Sequence, residues 1–472
     1  MDWKPQRSDS KTLFTQIHDW MLSHIERGDW PISMRLPSQR KLAHDLGVNR
    51  STIVQVFEEL KAEGILETIH GSGTYVSSNG WELLLARKQP NWNAHMQNSL
   101  YTPNVETIQL INEFEQKSEV LRLGTGELSP ELLPLTKLRQ SLTEMVLTEE
   151  NIRYSSPKGN IQLRHAVASH LKKKGISAFP ENILIVSGAL QALQLISYGI
   201  LAQHSTVYYS APSYVESIQS FQAAGMKLIP IEAEDRNIAK KNAFFYTIPT
   251  LNNPSGTIMS EKERSALMQR CRQDQIPIVE DDVYGDLTFT DPPPPLKAMD
   301  TSGQIVYVGG MSKTISPGLR IGWITAPEPI INSLADLKMQ LDYGSSGFSQ
   351  EIVTYWLQSG LYETHLTSLR TTLQKRAQYT ETMLNETFAD IATWESPKGG
   401  FYIWLRFNQP IIKKDVFKEL LQHNVLINPG YLYDQKDNHH IRLSYAYESL
   451  ERLVIGLARL NKVVRKRLLI NH

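Results

Sequence analysis

The chain has 472 residues, too many for one ordinary core, so two or three domains are expected. Its 49 lysine and arginine residues balance 49 aspartate and glutamate residues, which removes any global electrostatic case for nucleic-acid binding. One cysteine, Cys271, excludes an intramolecular disulfide and fits a reducing compartment; with no apolar signal core and no long apolar run, a cytoplasmic protein without membrane contact is expected.

Leu13, Ile17, Trp20, Met21 and Ile25 recur at helical spacing, and Gly28 supplies a stop. Ser38 offers an N-cap to a short helix carrying Leu42, Ala43 and Leu46, which Gly47 closes. A third helix follows with the stripe Ile53, Val56, Phe57 and Leu60, and with Asn49, Arg50, Ser51 and Thr52 at its start. Two short helices around a tight glycine turn form the helix-turn-helix pattern. Residues 66–76 then alternate around Gly71-Ser72-Gly73, as a two-stranded wing would. Residues 1–76 hold nine lysines and arginines against ten aspartates and glutamates, so any DNA contact must come from placement. A helix start points free N–H groups at phosphate, Arg50 can reach phosphate or a guanine edge, and Arg40 and His70 could grip the flanking backbone. The plainer alternative is a small helical interaction module with solvated arginines.

The stretch 36–52, followed by Leu60-Lys-Ala-Glu-Gly64 and His70-Gly-Ser-Gly-Thr-Tyr-Val76, resembles the winged-helix domain of GntR-type regulators. That resemblance implies DNA contacts from Arg40, Asn49, Arg50, Ser51, Thr52, His70 and Gly71. Val54 departs from it, standing where some relatives carry a further arginine.

Residues 79–118 lack a sustained pattern and read as a linker, partly helical near 104–117. Beyond them, apolar runs at 183–186, 206–210, 227–231, 243–247, 276–280, 305–309 and 321–325 alternate with helical stretches. Such runs predict a mostly parallel sheet covered on both faces, with ligands held beyond the carboxyl ends of its strands. The promising polar residues fall there. Lys313 follows a strand, with Ser312 beside it and Arg320 seven residues on, an arrangement suited to a Schiff base with an adjacent phosphate clamp. Asp281 ends a strand, where it could pair with a protonated pyridine nitrogen, and Tyr284 and Asn253 could hold a phenolic oxygen. Asn253 alone would read as a Pro-Gly turn, and Tyr214, a candidate ring-stacking aromatic, alone would read as core. Ser187-Gly188-Ala189 opens a helix whose amides can cradle phosphate.

In this order and spacing the residues resemble the class I/II aminotransferases, pyridoxal-phosphate enzymes of fold type I, over roughly 120–465. The resemblance implies pyridoxal 5'-phosphate as cofactor, with Lys313 as the Schiff-base lysine. It implies Asp281 on the ring nitrogen, Asn253 and Tyr284 on the phenolic oxygen, and Tyr214 on the ring face. Gly188, Ala189, Ser312 and Arg320 would bind the phosphate. Tyr154 matches a tyrosine that reaches the phosphate of a neighbouring subunit, implying a homodimer, and Arg442 matches the arginine that grips an amino-acid carboxylate. Pro397-Lys-Gly399-Gly400-Phe401 completes the pattern. Leu190 and Gly310 depart from it where relatives often carry polar phosphate ligands. No metal is assigned, since His439 and His440 lack partners at a telling spacing. Pro292–Pro295 reads as a stiff loop, and Arg465-Lys466-Arg467 as a solvated helix end.

Together the halves resemble the MocR subfamily of GntR-type regulators. The expected fold is a mainly α winged helix-turn-helix at 10–78, a linker at 79–118, and an α/β fold type I aminotransferase-like domain at 119–466. A smaller C-terminal α+β domain is expected at about 345–466. The resemblance implies a regulator of double-stranded operator DNA that binds pyridoxal phosphate and responds to a small amino-compound effector, or to the cofactor itself. The alternative is a working aminotransferase with a regulatory DNA-binding head.

Overall fold

Two units, Met1–Thr102 and Pro103–His472, make up the chain, and the computed structural model describes residues 3–6, 11–69, 71–77, 104–144, 149–231 and 242–470. In the first unit the apolar stripes become helices α1 (Leu13–Glu26), α2 (Gln39–Leu46) and α3 (Arg50–Ala62). Ile17, Met21, Ile25, Leu42, Leu46, Ile53, Phe57 and Leu60 close on one another as its core. The hydroxyl of Ser38 accepts from the Lys41 N–H at 3.2 Å, and Gly47 ends α2 at φ 67°, a left-handed backbone that disfavours any Cβ. Strands β1 (Leu66–Ile69) and β2 (Gly73–Val76) pair antiparallel with Leu66 opposite Val76, which is the expected wing. The segment before α2 joins this ribbon: Arg35 bridges to Tyr75, and the Leu36 N–H donates to the Thr74 carbonyl at 2.9 Å.

The second unit begins with helix Glu106–Phe114, inside the stretch read as linker. Its Ile111 sits in the second unit's core, Lys418 pairs with Glu106 at 2.7 Å, and the Thr107 and Tyr431 hydroxyls lie 3.3 Å apart. Strand β3 (Leu121–Arg122) follows. The central sheet then takes β4 (Ile183–Val186), β5 (Thr206–Tyr209), β6 (Lys227–Pro230), β7 (Ala243–Thr247), β8 (Ile278–Asp281), β9 (Ile305–Gly310) and β10 (Gly322–Thr325). Their order is β4-β10-β9-β8-β7-β5-β6, and β10 alone runs antiparallel to its neighbours. All seven apolar runs read from the sequence are strands. β8 starts at Ile278 and not at Ile276, because Pro277 has no N–H to give the ladder.

Helices cover both faces. Leu193 and Ile196 of helix Ala189–Gly199 pack with Ile331 and Leu334 of helix Glu328–Leu341 against Val186, Val207 and Ile324. On the other face, Met268 and Cys271 of helix Glu261–Gln273 meet Phe245 and Ile278, while Val167 and Leu171 of helix Ile161–Lys173 meet Ile183 and Ile185. The proline run is pinned by the buried Arg264, which donates to the Pro294 carbonyl at 3.0 Å.

After the 28-residue helix Leu361–Phe388 come β11 (Ala392–Thr393), β12 (Tyr402–Phe407), β13 (Val425–Leu426), β14 (Asn428–Pro429) and β15 (His440–Ser444). A four-stranded sheet takes the order β11-β12-β15-β14, while β13 pairs in parallel with the distant β3. The basic tail is ion-paired, not simply solvated: Arg465 meets Asp390 at 2.8 Å and Lys466 meets Glu419 at 2.9 Å. Among the described residues no helix is long and apolar enough to cross a membrane.

Candidate functional site

In the first unit, Asn49 is the N-cap of α3 and makes no side-chain cap bond, and its carbonyl accepts from the Thr52 N–H at 3.1 Å. Arg40, Asn49, Arg50 and Ser51 are exposed and Thr52 is half-buried. Gly71, at the wing tip, is exposed at φ 77° with open space around it. The expectation for His70 lies outside the described residues. Arg35, which the sequence reading did not single out, adds an exposed guanidinium beside the wing at Gly73. Its signal was faint, since the residue lies outside both helices and joins the wing only through the bridge to Tyr75.

In the second unit, a cavity of about 330 Å³ opens at the carboxyl ends of the central strands. It is lined by Ala189, Tyr214, Asn253, Asp281, Tyr284, Ser312, Lys313, Arg320 and Arg442. One element places each group. Asp281 closes β8, Ser312 and Lys313 follow β9, Arg442 stands in β15, and Ala189 is the first residue of its helix. The Lys313 amine donates to the Gly126 carbonyl at 2.7 Å and lies 5.7 Å from the centre of the Tyr284 ring. Arg442 donates through Nη1 to Asn253 Oδ1 at 2.8 Å and through Nη2 to the Gly124 carbonyl at 2.7 Å.

A larger cavity of about 540 Å³ lies beyond Tyr246 and Ile248, but its described lining contains no lysine. The chemistry points to the smaller one.

Burial lifts the Asp281 carboxyl to about 6, against the pull of hydrogen bonds from the Tyr246 hydroxyl at 2.8 Å and the Val283 N–H at 3.4 Å. Burial likewise raises the Tyr284 phenol well above its ordinary range, and burial with the nearby Asp281 charge raises that of Tyr214. These phenols stay protonated and can donate.

The residues present fit a phosphorylated pyridine aldehyde. At the Arg320 end, Gly188 precedes the helix Ala189–Gly199 at φ 84°, and a Cβ there would come within 2.7 Å of Arg320 Nη2. Arg320 is held by the Ser187 carbonyl at 3.0 Å and adopts a left-handed backbone at φ 52°, a strained conformation for a residue with a Cβ. Among the described residues the buried Ser312 hydroxyl has no hydrogen-bond partner, and neither has Arg442 Nε. A helix start, a guanidinium and an orphaned hydroxyl suit an anion, though the Gly188 N–H itself is already given to the Val186 carbonyl at 2.9 Å. The departures have physical correlates: Leu190 lines the cavity but is 41% exposed, and a Cβ at Gly310 would sit 3.2 Å from the Ile321 carbonyl.

Tyr154 is not brought to this cavity. It is 84% exposed, with its ring 5.5 Å from that of Tyr343. Conversely, the sequence reading missed Tyr402, whose hydroxyl lies 2.9 Å from that of Tyr284 and whose ring lies 4.2 Å from the Arg442 guanidinium. Its signal was available, since it directly follows Gly399-Gly400-Phe401. Tyr246, Gly126, Glu115 and Glu127 were also missed, and no local pattern marks them.

Residues 13–76 match the gntR family of bacterial regulatory proteins, and residues 118–460 match the aminotransferase class I and II family. The HTH-type transcriptional regulator YisV of Bacillus subtilis (strain 168) is 44% identical over 475 residues, covering 98% of each chain. The HTH-type transcriptional regulator NorG of Staphylococcus aureus (strain USA300) is 38% identical over 445 residues, covering 92% of this chain and 100% of its own. Among solved structures, the kynurenine aminotransferase of Pyrococcus horikoshii, crystallised with PMP, is similar with a TM-score of 0.72. That match is 27% identical and covers 78% of this chain and 96% of the other.

Proposed function

Because the chain belongs to the HTH-type transcriptional regulators that join a GntR-family head to an aminotransferase class I and II body, the MocR layout, we propose a sensing role for that body. In this reading a cytoplasmic homodimer binds operator DNA through its heads, and the body holds pyridoxal phosphate and receives an amino compound. One observation carries it: Lys313, Asp281, Arg320 and Arg442 line a single cavity.

Lys313 would hold the cofactor through its amine, Asp281 would face the ring nitrogen, and Asn253 and Tyr284 the phenolic oxygen. Tyr214 would lie on the ring face, while Arg320, Ser312 and the Ala189 amide would take the phosphate, with Gly188 leaving the room for Arg320 that a Cβ would fill. Tyr154, exposed in its own subunit, would serve the phosphate site of a second copy. When bound, the cofactor supplies an aldehyde carbon that exchanges one primary amine for another.

The remaining work falls to the chain. The Gly126 carbonyl orients the Lys313 amine, and the Asn253 and Gly124 oxygens preset the Arg442 fork, whose spare Nε can meet an incoming carboxylate. An amino compound then acts through its different affinities for the DNA-competent and DNA-incompetent arrangements. For DNA, the donors would be Arg40, Arg50, Gly71, Asn49, Ser51, Thr52 and the opening amides of α3, with His70 alongside.

Purified protein given pyridoxal phosphate should develop the visible absorption of a lysine-bound cofactor, and Lys313→Ala should abolish it. A colourless wild type would sink the sensing role. Arg50→Ala should weaken a promoter gel shift while leaving that band intact; unchanged DNA affinity would remove Arg50 from the interface. The same cavity groups also suit amine transfer to a keto acid, so turnover is the second reading. Keto-acid release at enzyme-like rates would favour it.

A further inference from the structure

The cavity carries more acidic charge than a cofactor and a carboxylate use. The proposed sensing role employs Lys313, Arg320, Arg442 and Asp281, which leaves Glu115 and Glu127 among the remaining lining residues. Their positions are tied to the working residues by one short segment. The Gly124 carbonyl accepts from Arg442 Nη2 at 2.7 Å, the Thr125 hydroxyl donates to Glu115 Oε1 at 2.7 Å, and the Gly126 carbonyl accepts from Lys313 Nζ at 2.7 Å. Consecutive Cα atoms are ~3.8 Å apart, so three adjacent residues touch the candidate carboxylate-binding arginine, an acidic side chain and the amine in turn. Glu115 is also held from behind, because it directly follows helix Glu106–Phe114, which Ile111 and the Lys418–Glu106 pair anchor to the second unit.

Glu115 is half-buried with one oxygen taken by Thr125, and Glu127 is exposed. Arg442, 6% exposed and with no partner on its Nε among the described residues, lines the same cavity and points to a ligand there. A ligand filling that space strips water from the half-buried Glu115 and lies in the weaker, solvent-screened field of the exposed Glu127. A neutral side chain leaves them unpaired, an acidic one adds repulsion, and a cationic one pairs with them. Selection against the wrong ligand is thus built into the wall.

We propose that the effector is a basic amino acid, with its carboxylate on Arg442, its α-amine at the Lys313 end, and its distal cation on Glu115, in the added field of Glu127. This rests on the sensing role proposed above.

The test is a spectral titration of full-length protein saturated with pyridoxal phosphate, using L-lysine, L-ornithine, L-norleucine and L-2-aminoadipate. Lysine or ornithine should bind at least about tenfold tighter than norleucine, and 2-aminoadipate weakest. Glu115→Gln should bring the lysine-to-norleucine ratio to within about threefold, and Glu115→Lys should favour 2-aminoadipate. Norleucine equal to both basic amino acids in the wild type overturns the inference, and the wild-type panel decides this even if a variant fails to fold. A preference that survives Glu115→Gln overturns the role of Glu115. A cofactor band that responds alike to all four compounds defeats only this inference, whereas protein that takes up no cofactor defeats the sensing role as well.

Discussion

Asp281 shows how one side chain depends on what lies behind it. Its carboxyl, lifted by burial to about 6 from 3.8, binds its proton more tightly in the folded chain than in the unfolded one. The sign follows: the ionised form costs stability, a cost absent below 3.8, growing between 3.8 and about 6, and complete above that. A cation brought into the cavity beside Asp281 offsets this cost. If that cation is the protonated ring nitrogen, cofactor affinity should fall as pH drops through about 6. The Tyr246 hydroxyl, donating at 2.8 Å, holds the value down. Tyr246→Phe removes a hydrogen bond worth ~1 kcal/mol, so the midpoint should climb by roughly half to one pH unit. Absorbance titrations of cofactor affinity against pH check this, and an unmoved midpoint would show that Tyr246 does not tune Asp281. Asp281, Asn253, Tyr284 and Lys313 were legible in the sequence because each stands in a local setting, at a strand end or in a turn. Tyr246, Gly126 and Glu115 were not, because their meaning lies in contacts across the fold: Gly126 and Lys313 are 187 residues apart.

At the level of elements, helix α2 is the most exposed to small changes. Eight residues are too few for a helix that stands by itself in water, so its ends matter. The Ser38 hydroxyl satisfies the Lys41 amide, and Ser38→Ala should cost about 0.5–2 kcal/mol. Hydrogen exchange of the α2 amides is the direct measure: protection should drop by that amount, while the amides of β5 and β7 keep theirs. Equal loss in both units would mean that the substitution does more than uncap one helix. The same contrast explains what was readable at this scale. Strands β4, β5, β7 and β8 are buried on both faces, so they appear as continuous apolar runs. The reversed direction of β10 left no trace, because a doubly buried strand needs the same residues whichever way it runs. The pairing of Leu121 with Val425 was equally silent, since a two-residue parallel bridge has no periodicity.

For the whole molecule, charge sets the terms. Basic and acidic residues balance at 49 each, so nothing about the sum draws the chain to DNA. In the proposed reading, affinity comes from the few donors at the start of α3 and beside the wing. The coupling between effector and operator is measurable from both ends. If an amino compound alters promoter affinity by some factor, saturating promoter DNA must alter the affinity for that compound by the same factor, because both describe one thermodynamic cycle. A coupling of 1–3 kcal/mol corresponds to about 5–150-fold. Gel shifts with and without the compound give one side of the cycle, and spectral titrations with and without promoter DNA give the other. Matching factors that differ from one would establish the body as the sensor of the head. A compound that moves the cofactor band strongly while both factors stay at one would mean that the cavity performs chemistry the head never reads, and the enzymatic reading would then take precedence.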